Sequence, residues 1–523
     1  MESGAETLTP FALTLGEHAL DLETLDACLG RSLALTLAPS ALARVGQTRV
    51  RIEELLETGQ AVYGVNTGFG ELRRKRIAGD QLEQLQENLI LSHAVGVGPP
   101  APPDIVRWML LFKVHMLLKG LSGVRVETIE RLTAWLNNDV LPVVPIRGSL
   151  GASGDLAPLA HLALPLIGRG EMITSAGTRP AAQVLAEAGE QPLRLGAKEG
   201  LALVNGTQFM SAYSANIAVR ANRLANLADL IVCMSLEGCR GSVAPADERL
   251  HLARPHPGAQ TVAANIRRHM RDSEILASHA DCDRVQDPYS LRCAPQVHGA
   301  FRDALTHFTE TTIREVNSVT DNPILFSGSR DGTIEAVSGG NFHGAPLALV
   351  LEYLGVALTD FANISERRIY LLLSGEDDLP KLLMKDTGLN SGFMLLQYTA
   401  AALLNECKVL ANPAATDSIT TSLGQEDHVS MGATSALKCY EILDRVETVL
   451  AIEMMCAAQA IDYRAPMQPG IGPRAAQQAI RRHITHAEQD REFGKDIAMA
   501  LELLREDETL REIAKPSAGN GPS

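Results

Sequence analysis

Positive charge is in short supply. The 523 residues hold 47 Lys and Arg against 62 Asp and Glu, a net charge of −15. That balance argues against nucleic acid or an anionic membrane surface as the main partner. None of the eight cysteines (Cys28, Cys233, Cys239, Cys282, Cys293, Cys407, Cys439 and Cys456) stands in a Cys-x-x-Cys pair, so the sequence offers no zinc or redox motif. They read as free thiols in a reducing compartment. Met1 to Leu15 lacks a basic region followed by an apolar run, the pattern of a secretory signal. The longest apolar stretches, Ala345–Leu358 and Val449–Ala460, are broken by Glu352 and Glu453 and fall short of about 18 uninterrupted apolar residues. They read as buried helices, and a cytoplasmic protein without a membrane span is expected. Metal-ligand spacing among the histidines is also lacking, so no metal site is expected.

Aromatics are only 4%, whereas the hydrophobic share is 46% and the charged share 21%, ordinary for a globular chain able to bury a large core. Helical periodicity runs through Gln208–Cys239, Pro346–Leu373, Phe393–Ala411 and Ala433–Ala460. Each segment is long and apolar on more than one face, which places it in a bundle or a subunit contact. The expected fold is mainly α, with a long antiparallel central helix bundle and a smaller N-terminal domain. The division is expected at residues 1–200 and 201–523. Strand signals are short: Thr48–Ile52, Met172–Thr174 and Gly332–Ala336.

Gly- and Pro-rich loops separate these helices and carry unusual polar chemistry. Gly148-Ser149-Leu150-Gly151-Ala152-Ser153-Gly154-Asp155 is followed by no Gly-Lys-Ser/Thr and lacks dinucleotide-type glycine spacing, so it does not read as a phosphate cradle. It is an ordinary turn by composition. It also holds a tripeptide capable of attacking itself. Closure of the Gly154 nitrogen onto the Ala152 carbonyl carbon, with loss of two waters, would leave an electrophilic exocyclic methylene derived from Ser153. Tyr63-Gly64-Val65-Asn66-Thr67-Gly68-Phe69-Gly70 has the glycine content of a lid. Asn205 precedes a long helix and suits a cap as well as a site. Gln286, Tyr289 and Arg292 share one loop, where Arg292 suits either a carboxylate clamp or a structural ion pair. His93, Phe342 in Gly340–Gly344, and Glu426 in Gln425-Glu426-Asp427-His428 complete the set.

In this order, from about Leu13 to about Leu504, these motifs resemble the aromatic amino acid ammonia-lyases. Gly148 to His161, with Ala152-Ser153-Gly154-Asp155, is the most specific part. Within that family the chain is most similar to the members acting on histidine. Ser92-His93, Glu426 where aromatic-specific relatives carry Gln, Ala197–Leu203 and Asp281-Cys282-Asp283 carry that likeness. Gly424, Asn412–Asp417, Leu379–Leu383 and Ala460–Tyr463 depart from it. The resemblance implies a lyase that removes ammonia from L-histidine to give trans-urocanate. Tyrosine or phenylalanine lyase, aminomutase and non-catalytic assembly protein stand as alternatives. It implies that Ala152, Ser153 and Gly154 form the 4-methylidene-imidazol-5-one group (MIO) and that Tyr63 takes the β-proton. Arg292 and Asn205 would hold the substrate carboxylate, Gln286 and Tyr289 would position MIO and substrate, and Phe342 would pack against the ring. His93 and Glu426 would contact the imidazole. A homotetramer with shared active sites is also implied.

Overall fold

Residues 9–57, 81–280, 284–328 and 333–516 are described by the computed structural model. Helix accounts for 61% of the described residues and the strands there are few and short, which makes the fold mainly α. The helical segments expected from periodicity are found at Gln208–Gly238, Ala345–Leu373, Met394–Leu410 and Gly432–Asp462. Ala294–Val316 is a further long helix.

The chain forms two compact units, each assembled from three stretches. The first comprises Met1–Asn216, Thr309–Leu351 and Pro413–Leu437; the second comprises Ile217–Phe308, Glu352–Asn412 and Lys438–Ser523.

In the first unit, Phe11–Leu15 pairs in parallel with Leu33–Leu37. Both read as alternating apolar strands whose Leu15, Leu33 and Leu35 enter the core. Glu171–Thr174 lies between Leu141–Pro142 and Gly177–Pro180, and Val97–Pro100 pairs with Pro145–Arg147. The prolines confine Leu141–Pro142 and Pro145–Arg147 to positions paired on one side only. Ile324–Ser327 pairs with Ile334–Val337, in agreement with the third strand signal.

The first strand signal is overturned. Thr48–Ile52 lies inside the helix Pro39–Glu57. The β-branched alternation at Thr48, Val50 and Ile52 is outweighed by helical spacing of the buried Ala41, Val45 and Ile52. Tertiary bonds fix the helix in place: Thr48 Oγ1 donates to Gly120 O (2.6 Å) and Arg49 Nη1 to Ala197 O (3.0 Å).

The second unit buries charged groups in its interior and pairs their carboxylates. Arg368 and Glu453, both with side chains at 0% exposure, meet at 2.8 Å, and Ser235 and Ser365 donate to the same carboxylate. Arg302, His298 and Asn265 converge on the buried Asp229. Burial opposes ionisation of Asp229, but the Arg302 charge and these hydrogen bonds outweigh it and hold the carboxyl down at about 2.

Among the described residues one helix, Ala345–Leu373, is long and apolar enough to cross a bilayer by length and composition. Its most apolar window is 56% buried within the protein, and it carries the buried Glu352, Glu366 and Arg368, so it serves as a core helix.

Candidate active site

The loop 148–154 is suspended between the strand Pro145–Arg147 and the helix Leu156–Ala163. Gly154 has φ +78°, a conformation open to glycine and strained for other residues. A Cβ there would lie 2.1 Å from the Gly206 carbonyl oxygen, so the two backbones touch. The next residue, Asp155, seals this contact by donating its N–H to Gly206 O (2.7 Å).

The Asp155 carboxylate is fully buried beneath the loop. It accepts from Ser149 Oγ (3.1 Å) and from Met210 N (2.9 Å), in the first turn of the helix Gln208–Gly238, where the helix dipole favours an anion. Burial nevertheless pushes the carboxyl up to about 7.

Three residues of the expected site meet at Ser153. Asn205 Nδ2 donates to Ser153 O (3.2 Å). Ser153 Oγ donates to Glu426 Oε1 (3.0 Å). The other carboxylate oxygen, Glu426 Oε2, accepts from Thr421 Oγ1 (3.0 Å). Thr421 and Glu426 also exchange backbone hydrogen bonds, closing a tight loop through Ser422, Leu423 and Gly424, all at positive φ. That loop is tied to the tripeptide loop where Met431 N donates to Leu150 O (2.9 Å). Alone, Gln425–His428 reads as a helix start or a solvated face; it is instead a loop held against Ser153.

His93 ends the helix Leu82–His93, with Nδ1 3.0 Å from Ser92 Oγ. Burial lowers its pKa, while the Glu426 carboxylate pulls the other way, which puts His93 in the field of Glu426. Phe342 is half-buried in the loop before the helix Ala345–Leu373. Its neighbour His343 stacks on His428, with ring centroids 5.7 Å apart and planes 10° apart, joining the Phe342 loop to the Glu426 loop.

Gln286, Tyr289 and Arg292 belong to the second unit. Gln286 is exposed, Tyr289 is 70% exposed, and Arg292 is half-buried. The Arg292 guanidinium lies over the Tyr289 ring, 4.6 Å from its centroid. Among the described residues it forms no ion pair and its Nε has no partner, so its fork is available to a carboxylate. Tyr63 and Cys282 lie outside the described residues.

Two contributors escape a reading of motifs. Thr421 orients Glu426, and nothing in its local sequence marks it. Lys113 does carry a signal. It is a lone cation within Trp108–Leu118, where its neighbours are almost all apolar, and it is 1% exposed.

Comparison with known proteins bears on the family and the fold. The aromatic amino acid lyase family profile matches residues 20–482. A histidine ammonia-lyase of Gloeobacter violaceus is 49% identical over 503 residues, covering 96% of this chain and 97% of the relative. The crystal structure of histidine ammonia-lyase from Trypanosoma cruzi superposes with TM-score 0.89 at 39% identity, covering 97% of this chain and 96% of the other. Tyrosine aminomutase from Streptomyces globisporus superposes with TM-score 0.89 at 35% identity, covering 97% and 98%.

Proposed function

The chain belongs to the aromatic amino acid lyase family, and on that premise we propose that it eliminates ammonia from L-histidine to give trans-urocanate. The observation that carries the substrate is Glu426 beside Ser153. A carboxylate there accepts a hydrogen bond from an imidazole N–H, which a phenyl ring cannot offer. A site built to bond such a group can reject a ring lacking it by a factor of about 10⁴–10⁵.

The residues at 152–154 fit the MIO group. Gly154 has the backbone freedom for a turn that brings its nitrogen toward the Ala152 carbonyl, Ser153 carries the hydroxyl to be lost, and Asn205 has a donor at Ser153 O. Once closed, the ring supplies an electrophilic methylidene conjugated to the Ser153 carbonyl, able to turn an amine into a better leaving group. Asn205 Nδ2 would stabilise charge at that oxygen, as an oxyanion-hole donor does. Tyr63 would take the β-proton. An ordinary phenol titrates near pH 10, so its surroundings must favour the phenolate. Arg292 would grip the carboxylate, with Gln286 and Tyr289 aligning substrate and ring and Phe342 packing against them. His93 would share the imidazole with Glu426.

The reading includes a homotetramer with shared active sites. Leu349, Tyr353, Val356 and Tyr370 are exposed on the helix Ala345–Leu373, and Leu395, Tyr398 and Val409 on the helix Met394–Leu410, large apolar side chains suited to subunit contact. It also includes a reducing, cytoplasmic setting, in keeping with seven free cysteines among the described residues, six of them buried.

An amino-acid panel tests the substrate. Urocanate absorbance should rise with L-histidine and exceed any cinnamate or coumarate signal from L-phenylalanine or L-tyrosine. Cinnamate or coumarate without urocanate would overturn the histidine reading, and a β-amino acid as main product would make the protein an aminomutase. Intact mass tests the ring: the chain should be lighter than its sequence by two waters.

A further inference from the structure

Lys113 is a buried cation whose ammonium touches the Asn205 carbonyl, and the chemistry above leaves it without a task. It projects from the helix Pro103–Leu117, in which every residue from Ile105 to Leu117 is buried. Its Nζ donates to Asn205 O (2.8 Å) and to Ala202 O (3.2 Å). These carbonyls end the short helix Glu199–Val204, where the peptide dipoles favour a cation. Asn205 is therefore held at three points. Its N–H donates to Leu201 O (2.9 Å), its carbonyl accepts from Lys113, and its carboxamide donates to Ser153 O. The carboxamide oxygen, Asn205 Oδ1, is buried and has no partner among the described residues. Its orientation thus rests on the single contact to Ser153 and on the backbone that carries it.

We infer that Lys113 is a positioning residue for the electrophile: its ammonium anchors the Asn205 carbonyl and so aims Asn205 Nδ2 at the Ser153 carbonyl oxygen, both while the ring closes and during turnover. The inference rests on the proposal that residues 152–154 cyclise. The charges around Lys113 support it. Asp155 and Asp321 attract the ammonium, Lys198 repels it, and Lys198 is itself paired with Asp321 at 2.7 Å. Burial alone would push the Lys113 amine far down; it falls to about 7 with the two carboxylates pulling against that trend. Charged or neutral, the buried amine donates to Asn205 O and Ala202 O, so these contacts persist across its titration. What it holds is the residue bonded to Ser153.

Lys113→Met removes the donors and keeps an unbranched stem, and Lys113→Arg keeps the charge. Lys113→Gln, a neutral donor, serves if the Met variant does not fold. Peptide mass over 152–154 gives the fraction of chains that have lost two waters, and steady-state kinetics give kcat and KM. Lys113→Met should lower the dehydrated fraction. Per dehydrated site, kcat should fall about 10–100-fold with KM little changed, the scale of one hydrogen bond to a charged group. Lys113→Arg should recover much of both. In an Asn205→Ala background, Lys113→Met should add little, because both act on one contact. Wild-type dehydration and kcat in a folded Met or Gln variant would overturn the inference, as would losses that multiply with those of Asn205→Ala. Two other outcomes bear on the function instead. A wild-type chain that keeps both waters refutes the cyclisation, whereas one that loses them yet prefers another amino acid refutes only the histidine assignment.

Discussion

Ser153 and Glu426 are 273 residues apart in the chain and 3.0 Å apart in space, the serine hydroxyl donating to the carboxylate. The residue that would become the electrophile is thus already in contact with the residue that would choose the substrate. Under the proposed function, selection and reaction would be coupled by distance: an imidazole held by Glu426 would bring its own amino group toward Ser153 Cβ.

Glu426→Gln separates the two roles. Glutamine can still accept the Ser153 hydroxyl, so loss of two waters at 152–154 should proceed. Turnover of histidine should fall about 10–100-fold in kcat/KM, the scale of a charge-assisted hydrogen bond. Residual turnover of phenylalanine or tyrosine should hardly change. Equal losses on all substrates, measured side by side, would remove Glu426 from the specificity argument.

Ser153→Ala and Gly154→Ala should fail in different ways. The first removes the hydroxyl that must leave and little else; the chain should fold with an unchanged melting temperature, keep its mass and lose at least about 10³-fold in kcat. The second places a methyl against the Gly206 carbonyl at a positive φ. It should destabilise the protein by about 1–3 kcal/mol and block dehydration as well. A Gly154→Ala protein that melts like wild type and loses both waters would show that the contact is slack.

Two histidines predict a pH dependence of stability. Burial pushes His115 and His269 each down to about 4. In the unfolded chain both titrate near pH 6.5. Between about pH 6.5 and 4 the unfolded chain therefore binds protons that the folded one refuses. The stability is fully present above that window and is lost as pH falls through it, by at most about 1.4 kcal/mol per pH unit for each histidine. Urea unfolding of wild type and His115→Gln at pH 7, 6 and 5 isolates the effect from Asp155, whose raised pKa acts with opposite sign. Parallel stability curves for the two proteins would contradict it.

The long helices were legible because their apolar residues keep helical spacing over 17 to 31 residues, longer than any competing signal. Thr48–Ile52 misled because five residues of β-branched alternation say nothing of what Arg49 and Thr48 will meet across the fold. Ser153, Asn205 and Glu426 were identifiable from residue type and order, yet their convergence was not, since it depends on backbone contacts such as Gly154 with Gly206 and Met431 with Leu150. Thr421 was invisible for the same reason. Its role is a hydrogen bond across a loop whose shape comes from three consecutive positive φ angles.

The contact between Gly154 and Gly206 has a consequence for engineering. Ala152-Ser153-Gly154 looks like a portable cassette, three small residues to be inserted wherever an electrophile is wanted. It is one half of a joint. The other half is a glycine 52 positions further on, whose carbonyl receives the Asp155 N–H and leaves no space for a side chain on the facing residue. A host scaffold would have to supply that second backbone segment at the same depth, so transplanting the chemistry means transplanting a pair of surfaces.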